Sequence, residues 1–213
     1  MPVEELDDGR KRIRAPLSDD EVRLLAIGDV VLVSGKIYSA RDAAHKVMIE
    51  MLDRGEPLPF DPAGQIVYYL GPTPERPGNV IGAAGPTTAS RMDKYTPPLL
   101  ELGLKGIIGK GGRGPMVRDE LKKHTAVYMA ALGGGGALAA LTVRSQEVIA
   151  LPELGTEAIR VLEVEDFPVW VVNDCEGRDY YQETVKPWRR NDLLPEELRL
   201  VVNSGNEGDG GGM

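Results

Sequence analysis

Apolar residues along this chain switch between β-branched runs and a helical spacing of three and four. Asp29-Val30-Val31-Leu32-Val33 predicts a strand stopped by a turn at Ser34-Gly35. From Ala40 onward, Ala44, Val47, Met48, Met51 and Leu52 share one helical face, and Gly55 stands where a C-cap belongs. Ahead of both, Ser18-Asp19-Asp20-Glu21 has the pattern of a capping box that opens a short amphipathic helix. Residues 65–70 and 79–84 predict a second and a third strand, each ended by Gly-Pro. A helix over 91–102, a short strand at 106–109 and a helix over 115–123 follow, the last with Pro115 at its first position. Residues 125–130 predict a strand, and a glycine run at 133–136 precedes an apolar, helix-like stretch to Val143. Residues 169–173 form a late strand. Strands alternating with helices predict a single layered α/β domain over 17–190. Residues 1–16 read as an extended arm and 191–213 as a tail, Gly-rich and disordered toward its end.

A length of 213 residues suffices for one domain with a sizeable core. No run of about 20 apolar residues spans a membrane, and the opening residues lack a secretory pattern, so a cytoplasmic protein is expected. The net charge of −8 argues against nucleic acid, since the basic stretch Lys186 to Arg190 is short and holds Pro187. One cysteine, Cys175, excludes an internal disulfide and a thiolate-held metal cluster on this chain. His45 and His124 are too far apart for zinc spacing, and no metal ligands are assigned.

Chemistry concentrates at element ends. Arg41 and His45, four apart at the start of the first long helix, are expected to point away from the apolar stripe, either as solvated residues or as a cationic pair for an anion. Gly85-Pro86-Thr87-Thr88-Ala89-Ser90-Arg91-Met92-Asp93 puts three hydroxyls and a guanidinium before a helix, more than capping requires. Gly109-Lys110-Gly111-Gly112-Arg113-Gly114 matches G-x-G-x-x-G in form, but no acid lies about 20 residues on. It reads as a flexible loop offering Lys110 and Arg113 to an anion. Cationic and hydroxyl groups on an acidic protein select a small anion, one with more than one carboxylate. No redox group, nucleophile–base pair or metal site accompanies them.

The stretches Ser34-Gly35-Lys36-Ile37-Tyr38-Ser39-Ala40-Arg41-Asp42-Ala43-Ala44-His45, Gly85 to Asp93 as written above, and Ile108-Gly109-Lys110-Gly111 resemble the β subunit of class I fumarases and L-tartrate dehydratases. The resemblance covers roughly residues 16–182, in the family's motif order. It implies a swivelling β/α domain closing over a four-iron four-sulfur cluster held by the cysteines of a separate α subunit, with one iron serving as Lewis acid. It implies further that Arg41 and Arg91 clamp substrate carboxylates, that Lys110, His45 and Thr88 contact substrate, and that Thr87 takes part in proton transfer. Gly114 departs from the family's usual serine four residues after the lysine. The resemblance thus implies the β subunit of a hetero-oligomeric hydro-lyase, with reversible hydration of fumarate to malate as the leading activity. The alternatives are dehydration of L-tartrate or another 2-hydroxy diacid, and a non-catalytic module for small anions.

Overall fold

β1 (Glu4–Glu5) and β2 (Lys11–Ala15) precede the first helix, α1 (Asp19–Arg23), in the computed structural model, which describes residues 3–188 together with 190 and 193. The capping box is formed: Ser18 Oγ accepts from Glu21 N while Glu21 reaches back to Ser18 N. The segment expected to be an arm is thereby corrected. β2 pairs in parallel with β3 (Val30–Ser39), Lys11 through Ala15 lying against Val31 through Gly35. Ile13 and Ala15 bury themselves there, and the charged residues between them had hidden the strand.

β3 runs through the expected turn at Ser34-Gly35. Gly35 takes a φ of +95° at a bulge, and an ideal Cβ there would fall 3.0 Å from the Ala15 carbonyl oxygen. After α2 (Asp42–Asp53) come β4 (Ile66–Tyr68), a 3₁₀ turn over Ala89–Tyr95 and α3 (Thr96–Glu101). β5 (Gly106–Gly109), α4 (Pro115–Lys123), β6 (Val127–Ala130) and α5 (Gly136–Ala140) follow. β7 (Val143–Ala150) leads through a 3₁₀ turn, Pro152–Glu157, to β8 (Ile159–Asn173) and then α6 (Tyr180–Val185).

β3, β4, β5 and β6 are parallel neighbours, and β8 runs antiparallel to both β6 and β3, so five strands close into a barrel. Closure needs two long strands with two partners on one edge. β3 bonds β2 along its first half and β4 at its end, while β8 bonds β7 first and β6 last. The change of partner is pinned where Asp166, at a φ of +51°, donates its N–H to Ser34 Oγ and accepts from Arg12.

Alternation along β4 separates two cores. Ile66, Tyr68 and Leu70 join Ile108, Met129, Phe167 and Val169 within the barrel. Val67 and Tyr69 join Met48, Leu99, Val117 and Leu121 beneath α2, α3 and α4. Residues 79–84 are loop, not strand. Ala83 N–H goes to Thr73 Oγ1 and Ala84 N–H to the Gly136 carbonyl, so no ladder is built. The chain divides into two units, Met1–Tyr180 and Tyr181–Met213, and the residues discussed below belong to the first. The expected disordered tail, from Asn206, lies outside the described residues. Among those residues no helix is long and apolar enough to cross a membrane.

Candidate functional site

Parallel strands carry their connections out at the carboxyl ends, and there a crevice between loops collects ligand-binding groups. β3 delivers Arg41, β5 delivers Lys110 and β6 delivers the glycine run. The segment returning to the sheet after β4 delivers Thr87 and Thr88.

That segment is stitched in by its backbone. Thr87 N–H donates to the Tyr69 carbonyl at 2.7 Å, Lys110 N–H to the Thr87 carbonyl at 3.0 Å, and Ala89 N–H to the Lys110 carbonyl at 2.9 Å. Gly109 permits this approach, because a Cβ there would meet Ala89 Cβ at 3.0 Å and Tyr69 at 3.1 Å. Thr88 occupies the N-cap position of the 3₁₀ turn yet makes no side-chain cap bond, and neither Thr87 nor Ser90 spends its hydroxyl on another described residue. Capping therefore does not account for the three hydroxyls.

Arg41 and Arg91 approach the same oxygen. Arg91 Nη2 lies 2.8 Å from Asp42 Oδ2, and Arg41 Nε lies 3.6 Å from it. Arg41 Nη2 also lies 3.4 Å from Glu157 Oε1. Half-exposed ion pairs of this kind contribute about 0–1 kcal/mol, so an arriving carboxylate can take Arg91 from Asp42 at little cost. Lys110 is exposed, and its stem passes Gly133. Arg41 and Arg91 thus meet at Asp42, while Thr87 and Thr88 are joined to Lys110 by backbone pairing.

Two expectations change. His45 does not point away from the apolar stripe: it is fully buried beside Ala44 and Met48. Its ring packs edge-on against Tyr69 and stacks near Tyr95, with Nδ1 3.0 Å from the Arg41 carbonyl. It sits behind the arginine's backbone, where burial penalises the charged form and keeps the ring neutral. Arg113 is not a mobile cation either. It is 5% exposed, with Nε on Asp93 at 2.7 Å, Nη2 on Thr96 Oγ1 at 2.6 Å and the guanidinium over the Tyr69 and Tyr128 rings. Asp93 also accepts from Gly114 N–H at 2.9 Å, so the loop after Lys110 is anchored rather than loose. A Cβ on residue 114 would stand 3.0 Å from that carboxylate.

Burial pushes the His45 imidazole down to about 4 from its ordinary 6.5, and Arg113 works the same way, against the Arg41 carbonyl and Asp42. The unfolded chain then binds a proton that the folded one refuses. The contribution is complete above pH 6.5 and disappears as pH falls toward 4, a loss on the order of 3 kcal/mol. Urea unfolding of the wild-type chain should weaken across this window, and His45→Gln should flatten that dependence. An unchanged slope in the variant would locate the acid sensitivity elsewhere.

Reading the sequence alone missed Glu157 and Gly71, which frame Arg41 and lie outside all three motifs. The iron–sulfur cluster implied by the resemblance finds no donor set among the described residues. The chain's single thiol, Cys175, is buried, and burial together with Glu176 and Asp174 raises it away from the thiolate a metal needs. Among the described residues no three His, Cys, Asp or Glu side chains converge. The described residues do not fit the cluster.

Residues 4–184 match the family described as Fumarase C-terminus. The chain is 40% identical to fumarate hydratase 2 of Leishmania major over 161 residues, which are 75% of this chain and 28% of that protein. It is 41% identical to the aerobic class I fumarate hydratase of Escherichia coli strain K12 over 153 residues, 71% of this chain and 28% of that protein. It is 40% identical over 176 residues to a Methanocaldococcus jannaschii chain provisionally named L(+)-tartrate dehydratase subunit beta, covering 80% of this chain and 90% of that one. This chain therefore spans less than a third of the two fumarate hydratases and most of the subunit.

Proposed function

We propose that this chain, which belongs to the Fumarase C-terminus family, is the carboxylate-binding β subunit of an iron–sulfur hydro-lyase. Its favoured reaction is the reversible hydration of fumarate to malate. The observation that carries this reading is the convergence of Arg41 and Arg91, from two separate loops, on one carboxylate oxygen beside hydroxyls that capping leaves unspent. A planar guanidinium binds a carboxylate through two parallel hydrogen bonds, so two of them fix both the position and the orientation of a diacid. Lys110 adds a third positive charge at the rim. Thr87 is set to hold or move a proton at the reacting carbon. A threonine hydroxyl is a very weak base, so its activating group comes from the surface that closes over it. His45 supports the Arg41 backbone from beneath rather than touching substrate.

The partner in this proposal is an α subunit that holds the cluster. A cluster held there would supply Lewis-acid activation of the substrate hydroxyl and carboxylate. The swivelling movement that brings the two surfaces together belongs to the same proposal. The high coverage of the tartrate dehydratase subunit favours a second reading, in which the diacid is L-tartrate.

The test uses this chain alone and then mixed. Purified by itself, it should carry no stoichiometric iron and hydrate no fumarate. Mixed anaerobically with an α subunit bearing a reconstituted cluster, it should turn over fumarate, and air should abolish that activity. Robust hydration by the lone, iron-free chain would overturn the proposal. Turnover of tartrate but not fumarate would select the second reading.

A further inference from the structure

We propose that Glu157 is a positioning residue for Arg41, an assignment that rests on Arg41 binding a substrate carboxylate. Glu157 belongs to none of the three motifs and reaches the site from the turn between β7 and β8. One carboxylate there does two things. Glu157 Oε2 accepts from Ala43 N–H at 2.7 Å, and Oε1 stands 3.4 Å from Arg41 Nη2. Arg41 is the N-cap residue of α2 and provides no side-chain cap, so an acid 114 residues away satisfies an amide of that first turn. The same acid faces the guanidinium that the motif places at the substrate.

The surroundings leave Arg41 little choice of orientation. On another side its stem lies against Gly71, where an ideal Cβ would fall 2.7 Å from Nη1, 2.8 Å from Cδ and 3.2 Å from the Thr156 carbonyl oxygen. A side chain at 71 would expel the guanidinium, so the glycine and the 156–157 segment form a slot. The slot has its own brace. Arg160 donates to the carbonyls of Thr156, Ala158 and Gly155 at 3.3, 3.1 and 3.0 Å, and Gly155 takes a φ of +59° to make the turn. Ala158 and Ile159, next along the chain, are buried, which sets the Glu157 backbone against the core. A long arginine otherwise loses rotamer entropy on being held, and a pre-set carboxylate removes part of that cost before substrate arrives.

A merely structural role and a positioning role separate under substitution. Glu157→Gln keeps an oxygen for Ala43 N–H but removes the charge that faces Arg41. In the reconstituted two-subunit complex, Glu157→Gln should raise KM for fumarate about tenfold and leave kcat within about twofold, because the arginine holds substrate and transition state alike. Glu157→Asp, which retains the charge at shorter reach, should recover part of the loss. The decisive measurement is a double-mutant cycle with Arg41→Lys. If Glu157 acts through Arg41, Glu157→Gln has little further effect once Arg41→Lys is in place. Equal fold-losses in both backgrounds, or wild-type KM in Glu157→Gln, would overturn the inference even when Arg41→Lys is impaired. Wild-type kinetics in Arg41→Lys itself would remove Arg41 from the site, and with it the premise. Should Glu157→Gln fail to fold, Glu157→Asp in the same cycle still reads the coupling.

Discussion

Thr87→Ala is expected to lower kcat by about 10²–10⁴-fold, the usual range for losing a group that transfers a proton in the transition state. Thermal stability should barely change. The residue's structural work is done by its backbone, whose N–H meets the Tyr69 carbonyl and whose carbonyl accepts from Lys110, and alanine keeps both bonds. Its hydroxyl makes no bond to another described residue, so none is lost. Were Thr87 a cap, the alanine variant would lose about 1 kcal/mol, or a melting shift of roughly 2–4 °C at this size. Thr87→Ser retains the hydroxyl and should keep most of the turnover. Comparing kcat with the melting temperature of the reconstituted complex settles the matter: normal turnover with a lowered melting temperature would refute the catalytic role.

Arg41→Lys and Arg91→Lys should each cost about ten- to hundredfold in kcat/KM although the charge is preserved. A charge-assisted hydrogen bond is worth about 1.5–3 kcal/mol, and an ammonium cannot reproduce the planar two-point contact. The two variants should differ in kind. Arg91 is held by one exposed pair with Asp42, so its loss leaves the fold untouched. Arg41 lies in a slot between Gly71 and Glu157, so lysine there loses its orientation as well as its fork. Steady-state kinetics on both, with unfolding curves as controls, check this. Unaltered kcat/KM in either variant would take that arginine out of the clamp.

The run at 79–84 is apolar enough for a strand, but its amides find Thr73 and Gly136 instead of a neighbouring strand. β7 and the first half of β8 were passed over because Arg144, Glu147, Glu163 and Glu165 interrupt them. Such alternation marks an antiparallel pair with one face toward solvent rather than a continuous apolar run.

Several features that depend only on neighbours a few residues apart are legible along the chain. The capping box at Ser18, the helices α2 and α4, the strands β4, β5 and β6 and the three loops that carry Arg41, Thr87 with Arg91, and Lys110 are all of this local kind. The tertiary structure decided what depends on contacts between distant segments. It drew residues 11–15 into the sheet, closed the barrel with β8 and turned His45 inward against Tyr69. It buried Arg113 between Asp93 and two tyrosine rings, and it brought Glu157 to Arg41 across more than a hundred residues. A side chain's period says which way it points from its own helix or strand. Its charge state and its partner depend on which other segment arrives to cover it, and that is fixed only when the whole chain has closed its core.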